Sequence, residues 1–114
     1  MAVKKAVKTV LLAGLRPEDL GRCQGMIKAS LLTADDKSGV LKIIQRCPEI
    51  AVINFDRFGG ESFLRQIAQT GYKGKVISAT NKRTRSWETE DIPGIEFVSF
   101  RDVPDAVESA LAPQ

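Results

Sequence analysis

Histidine is absent from the 114-residue sequence. Its absence removes the commonest general base, the commonest metal ligand and any phosphohistidine route at once. The two cysteines, Cys23 and Cys47, are far apart and have no histidine to help them hold a metal, so we predict two buried free thiols rather than a disulfide or a reactive pair. Together these features predict a protein that is not an enzyme and that binds neither a metal nor another cofactor.

Long hydrophobic runs are also missing. The longest apolar stretch near the start, residues 10–15, is too short to span a bilayer or to form the core of a secretory signal. We therefore predict a cytoplasmic protein with no membrane partner. The formal net charge of +3 is mild and does not indicate a direct nucleic-acid partner. The length fits a single domain over residues 1–114, in which we expect residues 1–6 to be frayed.

Apolar runs alternate with amphipathic segments along most of the chain. The clearest run lies in the stretch from Pro48 to Phe58, where the apolar residues before Asn54 predict a strand buried on both faces. The same pattern predicts further strands at residues 7–13, 30–34, 75–80 and 95–100. It predicts helices from Pro17 to about Ala29, Asp36 to Cys47, Glu61 to Gln69 and Asp102 to Leu111. Residues 81–91 are predicted to form a loop or a poorly amphipathic helix.

This alternation predicts an α/β protein, because parallel strands joined by helical crossovers must have helices on both faces of the sheet. The simplest fold of this length is a flavodoxin-like (βα)5 three-layer sandwich with a parallel five-stranded sheet in the order 2-1-3-4-5. In such sheets ligands gather at the carboxyl edge. Asn54 is predicted to lie at that edge.

Two stretches, Leu31–Asp36 and Ile43–Phe55, resemble half of a receiver domain, the signalling module of response regulators in two-component systems. The similarity in element order covers residues 7–111. In ordinary receivers the third strand ends in the aspartate that accepts the phosphoryl group. Asn54 occupies that position here, and its uncharged amide is a poor nucleophile.

The other catalytic positions of the resemblance also differ. The acidic pair that holds magnesium in receivers matches Gly14 and Leu15, whose side chains cannot ligate a hard cation. The receiver lysine matches Phe100, with Arg101 beside it, or Ser99 if the register slips by one residue. We therefore predict that replacing Asn54 by aspartate alone does not restore phosphorylation.

Two switch-like positions of the receiver are kept, as Thr80 and Phe97. A strand-end hydroxyl and a core aromatic residue are the plainer interpretations of these two residues. The resemblance implies a phosphorylation-independent pseudo-receiver that signals through protein–protein contact.

In receivers the fourth helix, fifth strand and fifth helix commonly form the surface for dimerisation or docking. The resemblance thus implies a protein partner or an adjoining effector domain, or a homodimer through this surface. The interaction residues that we expect are Trp87, Arg83, Arg85 and Arg101. Tryptophan is enriched at binding hot spots, although Trp87 could equally fold back onto the domain.

Two alternative functions remain open. Asp56 lies two residues beyond Asn54, on the same side of an extended strand, so it could be a displaced phosphoryl acceptor rather than a loop acid paired with Arg57. A small anionic ligand could instead bind at the carboxyl edge between Arg16, Arg57 and Arg101. Acidic residues nearby favour a solvated surface of mixed charge over this ligand site.

Overall fold

A computed structural model describes residues 8–27, 29–58, 61–80 and 95–111. The described strands are β1 (Thr9–Ala13), β2 (Ser30–Ala34), β3 (Ile50–Asn54), β4 (Lys75–Ala79) and β5 (Ile95–Val98). They form one parallel sheet in the order β2-β1-β3-β4-β5. The predicted fold class is therefore confirmed.

Four α-helices of the described residues cover this sheet: α1 (Pro17–Met26), α2 (Lys37–Ile44), α3 (Glu61–Gln69) and α4 (Val103–Leu111). A short 3-10 turn, Phe100–Asp102, leads into α4. Residues 81–91, predicted to form a loop or a poorly amphipathic helix, lie outside the described residues. Helix α4 follows β5 and is the element that the receiver resemblance expects as its fifth helix. No helix in the described ranges is long and apolar enough to cross a membrane.

The hydrophobic core has two halves, one on each face of the sheet. Strand β3 is buried at all five positions and contributes to both halves, which explains its unbroken apolar sequence. One half joins the sheet to α1 and α4 through Val10, Leu12, Val52, Cys23, Val103 and Val107. The other joins it to α2 and α3 through Leu11, Ala51, Ile53, Val40, Ile44, Phe63 and Ile67.

Local sequence signals explain most of the element boundaries. Pro17 occupies the first turn of α1, where its missing N–H would have no helical partner anyway. Asp36 caps α2, since its Oδ1 accepts a hydrogen bond from Gly39 N at 2.6 Å. Gly71 adopts a positive φ of 83° just after α3, as expected at a helix C-terminus.

Several predicted boundaries were wrong by two or three residues. Strand β1 begins at Thr9, α1 ends at Met26 and β5 ends at Val98. The predicted fifth strand was too long because Phe100 is apolar and buried, yet its burial comes from the 3-10 turn and not from the sheet.

The prediction of two buried thiols was half wrong. Cys23 is buried and free, as predicted, but Cys47 is exposed. Helix α2 ends at Ile44, and Cys47 has a positive φ of 55°, so it is not on the apolar face of that helix. Burial raises the pKa of the Cys23 thiol to about 11, and the negative charge of Asp19 adds to this shift.

Candidate functional site

Asn54 lies at the carboxyl end of β3, where the residue is 7% exposed. Its Nδ2 donates a hydrogen bond to the carbonyl oxygen of Gly14 at 2.9 Å. Its Oδ1 accepts a hydrogen bond from the backbone N–H of Arg57 at 3.2 Å. One amide thus joins the end of β1 to the loop after β3, using both its donor and its acceptor.

Gly14 follows β1 directly and adopts a positive φ of 71°. Its N–H donates to Ala34 O at 2.8 Å, which holds the turn against β2. A Cβ atom at this position would lie 2.7 Å from Cε2 of Phe58 and 2.9 Å from Cδ of Arg57. Both the backbone conformation and the available space therefore favour glycine.

The Phe58 ring fills the space beside Gly14. Phe58 is buried and packs against Phe63 of α3, with ring centroids 5.3 Å apart. Leu15 is also buried and belongs to the core half under α1. The two positions that the sequence analysis matched to the receiver's acidic pair are thus occupied by tightly packed backbone and by an apolar side chain.

A cleft of ≈ 590 Å³ lies at this edge of the sheet, and we call it the β3 cleft. It is lined by Gly14, Leu15, Arg16, Pro17, Leu20, Asp35, Asn54, Asp56, Arg57 and Phe100. Across the described ranges, no group of three or more histidine, cysteine, aspartate or glutamate side chains is arranged to hold a metal ion. The carboxylates of the described lining are Asp35 and Asp56.

Asp56 and Thr80 meet at the rim of the β3 cleft. The Thr80 hydroxyl lies 3.1 Å from Oδ1 and 3.2 Å from Oδ2 of Asp56, so it can donate to either carboxylate oxygen. Thr80 is buried and Asp56 is exposed. The two candidate residues that sequence reasoning treated separately are thus brought together by the ends of β3 and β4.

Arg16, which lines the β3 cleft, pairs with the buried carboxylate of Asp19. Asp19, in the first turn of α1, has a side chain that is 1% exposed. Its Oδ2 accepts a hydrogen bond from Nε of Arg16 at 2.7 Å, and its Oδ1 pairs with Arg22. Burial alone would raise the pKa of Asp19, but hydrogen bonds from Arg16 and Arg22 outweigh it and hold the pKa below its usual value.

Arg16 is held from two directions. Its guanidinium carbon lies 5.0 Å from the centre of the Phe100 ring, in addition to its contacts with Asp19. The hydrogen bond to Asp19 raises the pKa of Arg16 further above neutrality, although burial opposes the shift. Phe100, the residue predicted to match the receiver lysine, thus offers an aromatic face to a cation rather than a cation of its own.

A second cleft of ≈ 530 Å³, the arginine cleft, lies between α1 and the 3-10 turn. Its described lining residues are Arg16, Arg22, Ser99, Phe100, Arg101 and Asp102. The structure therefore divides the predicted anion-binding set: Arg57 lines the β3 cleft, Arg101 lines the arginine cleft, and Arg16 lines both.

The sequence analysis did not identify Arg22, which lines the arginine cleft, as a candidate functional residue. The only signal was its spacing of three residues from Asp19 on a helix, which places the two side chains side by side. Of the other predicted residues, Phe97 is half-buried and makes an edge-to-face contact with Phe55, with ring centroids 5.5 Å apart. Arg83, Arg85 and Trp87 lie outside the described residues.

Comparison with known proteins identifies the fold but not the sequence family. No family model matches the chain, and no curated protein sequence matches it. The signal receiver domain of an HD domain-containing protein from Pseudomonas fluorescens is similar with a TM-score of 0.74 and 17% identity, over 97% of this chain and 91% of that one. The receiver domain of the putative response regulator NarL from Mycobacterium tuberculosis gives a TM-score of 0.69 and 14% identity, over 96% and 100% of the two chains.

The same fold also occurs within an enzyme. The lysine decarboxylase LdcF from Francisella novicida matches 91% of this chain but only 17% of its own length, with a TM-score of 0.63 and 17% identity. At these identities the similarity establishes a receiver-like fold, and the function must be argued from the site.

Proposed function

We propose that this chain is a receiver-like signalling domain that is not phosphorylated and that acts through contact with a protein partner or an adjoining effector domain. The fold of receiver domains supports the first part of this proposal. The observation that carries the second part is the pair of hydrogen bonds made by Asn54.

Phosphoryl transfer to a side chain needs an anionic nucleophile and cations that neutralise the transferring oxygens. The amide of Asn54 is neutral, and its nitrogen is committed to the Gly14 carbonyl. An aspartate in its place would have no donor for that carbonyl at neutral pH. The amide therefore fits its surroundings better than the carboxylate that receivers use.

The missing metal ligands cannot be restored by one substitution either. Any side chain at position 14 would collide with Phe58 and Arg57 and would need an unfavourable positive φ. Leu15 contributes to the core. The absence of phosphorylation chemistry is thus supported by packing around the β3 cleft as well as by residue type.

Asp56 is the competing acceptor, because it is exposed and the Thr80 hydroxyl lies within hydrogen-bond distance of its carboxylate. One experiment separates the two proposals: incubation with a small phosphodonor and magnesium, followed by intact mass measurement. We expect no phospho-adduct on the wild type or on Asn54→Asp. A stable adduct that disappears in Asp56→Ala would establish Asp56 as the acceptor and overturn the proposal of a non-phosphorylated domain.

The partner surface is proposed from the receiver pattern. It would consist of β5, helix α4 and the segment with Arg83, Arg85 and Trp87, with Arg101 nearby, and it would serve either a homodimer or a different protein. We further propose that residues 1–114 form a single cytoplasmic domain without enzymatic activity. None of this requires a membrane or a direct nucleic-acid contact.

A further inference from the structure

The arginine cleft has more hydrogen-bond donors than its own contacts use. A guanidinium carries five N–H donors. Arg16 makes two hydrogen bonds to Asp19, and Arg22 makes one. Arg101 is exposed and forms no ion pair with any residue in the described part of the chain. Donors of all three arginines therefore remain available to an additional acceptor.

The described lining of this cleft also carries more guanidinium groups than carboxylates. Asp102 is the one carboxylate among the described lining residues, and one of its oxygens accepts the Ser99 hydroxyl at 3.0 Å. Glu18 approaches Arg16 from outside that lining, at 3.3 Å from Nε. The three guanidinium groups of the lining therefore face one carboxylate of the lining, while Asp19 and Glu18 offset part of their charge from outside it.

Two of the three arginines are held in place before any ligand arrives. Asp19 Oδ2 accepts from Nε of Arg16, and its Oδ1 accepts from Arg22 and, at 3.4 Å, from Nη2 of Arg16, while the Phe100 ring supports Arg16. Fixing long side chains in advance lowers the entropic cost of binding. The buried carboxylate therefore acts as a positioning residue for exposed cations.

We propose that Arg16, Arg22 and Arg101 form a binding site for the phosphate group of a small molecule. Guanidinium groups match the geometry of phosphate oxygens and bind them in a bidentate manner. The volume of ≈ 530 Å³ leaves room for the rest of a metabolite beside the phosphate group. This site is separate from the β3 cleft residues Asn54 and Arg57, and it does not depend on whether the chain is phosphorylated.

The test is a titration of the whole chain, at constant ionic strength, with inorganic phosphate and with ribose 5-phosphate as a phosphate monoester. Two-dimensional NMR would follow the backbone amides of residues 99–102 and the Nε–H groups of Arg16 and Arg22. We expect saturable shifts at these groups. Arg22→Ala and Arg101→Ala should each raise the Kd by about tenfold or more, because each removes a charge-assisted contact.

Two matched controls remove one arginine elsewhere. Arg46→Ala lies beyond the end of α2, and Arg65→Ala lies on the exposed side of α3, so both should leave the Kd unchanged. Equal weakening in all four variants would show a nonspecific effect of net charge and would overturn the proposal, as would shifts that do not saturate with either probe. Tighter binding of the ester would identify a phosphorylated metabolite as the ligand, and equal binding would identify free phosphate.

Discussion

The β3 cleft and the arginine cleft lie side by side and share Arg16, yet their buried polar residues are satisfied in opposite ways. In the β3 cleft, the Asn54 amide pairs with neutral backbone groups of the fold itself. In the arginine cleft, the Asp19 carboxylate pairs with two cations that remain about half exposed. The first arrangement closes a region by packing, whereas the second keeps charge at the surface.

The difference follows from the chemistry of the two side chains. An amide offers both donors and an acceptor, so backbone groups alone can satisfy it. A buried carboxylate only accepts and needs cationic partners to offset the loss of hydration. In this receiver-like fold, one part of the carboxyl edge is therefore filled by packing, whereas a neighbouring part presents guanidinium groups to the surface.

Gly14→Ala should break the packing of the β3 cleft most severely. The new Cβ would contact Phe58 at 2.7 Å and would sit on a backbone with φ of 71°. The left-handed backbone conformation is unfavourable for alanine, and the overpacking adds a second cost. Together we expect these to lower the free energy of unfolding by about 3 kcal/mol in urea denaturation.

The matched control for this variant is Gly25→Ala. Gly25 is an exposed residue of α1, and a Cβ there would have no atom outside its own helix and neighbours within 4 Å. Because alanine is the better helix former, this change should leave stability unchanged or raise it by up to about 1 kcal/mol. Similar losses in the two variants would contradict the specific role of Gly14.

Asn54→Asp should have the next largest effect. At pH 7 a carboxylate would leave the Gly14 carbonyl without its donor and would itself be buried, which should lower the free energy of unfolding by about 2 kcal/mol. Burial raises the pKa of the introduced carboxyl, so its protonated form can donate to Gly14 at low pH.

The sign of this pH dependence is testable. When the pKa of a group is higher in the folded state than in the unfolded state, the free energy of unfolding falls as pH rises through those pKa values. The gap between Asn54→Asp and wild type in urea denaturation should therefore be smaller at pH 4 than at pH 7. If the difference in free energy of unfolding stays constant or grows as pH falls, the stability of this region does not depend on a hydrogen-bond donor from residue 54 to the Gly14 carbonyl.

The fold was predictable because buried parallel strands and amphipathic helices leave distinct apolar patterns, as in the unbroken run of β3. Errors arose where burial has another source. Phe100 is buried by a turn, and Cys47 is exposed because the chain leaves the helical conformation before reaching it. A pattern of residue types does not distinguish these local backbone differences.

The candidate site was predictable only in part. Sequence comparison with receivers pointed to Gly14 and Asn54 as changed positions, but not to the hydrogen bond that joins them across 40 residues. Arg22 left a weaker signal, since exposed arginines on helices are common and only Asp19 distinguishes this one. Contacts between elements depend on side-chain geometry, which residue spacing does not supply.

Asp19→Asn should give the smallest effect and sharpen the contrast with Asn54. Hydrogen bonds from the arginines keep the pKa of Asp19 below its usual value of about 4, so its contribution is present above that pH and is lost as pH falls through the folded-state pKa. We expect the variant to be less stable at pH 7 by about 1 kcal/mol, because both arginine partners are half exposed. Urea denaturation from pH 7 down to pH 2 should show the two stability curves converging. Curves that stay parallel would mean that the Asp19 carboxylate contributes through its shape and not through its charge.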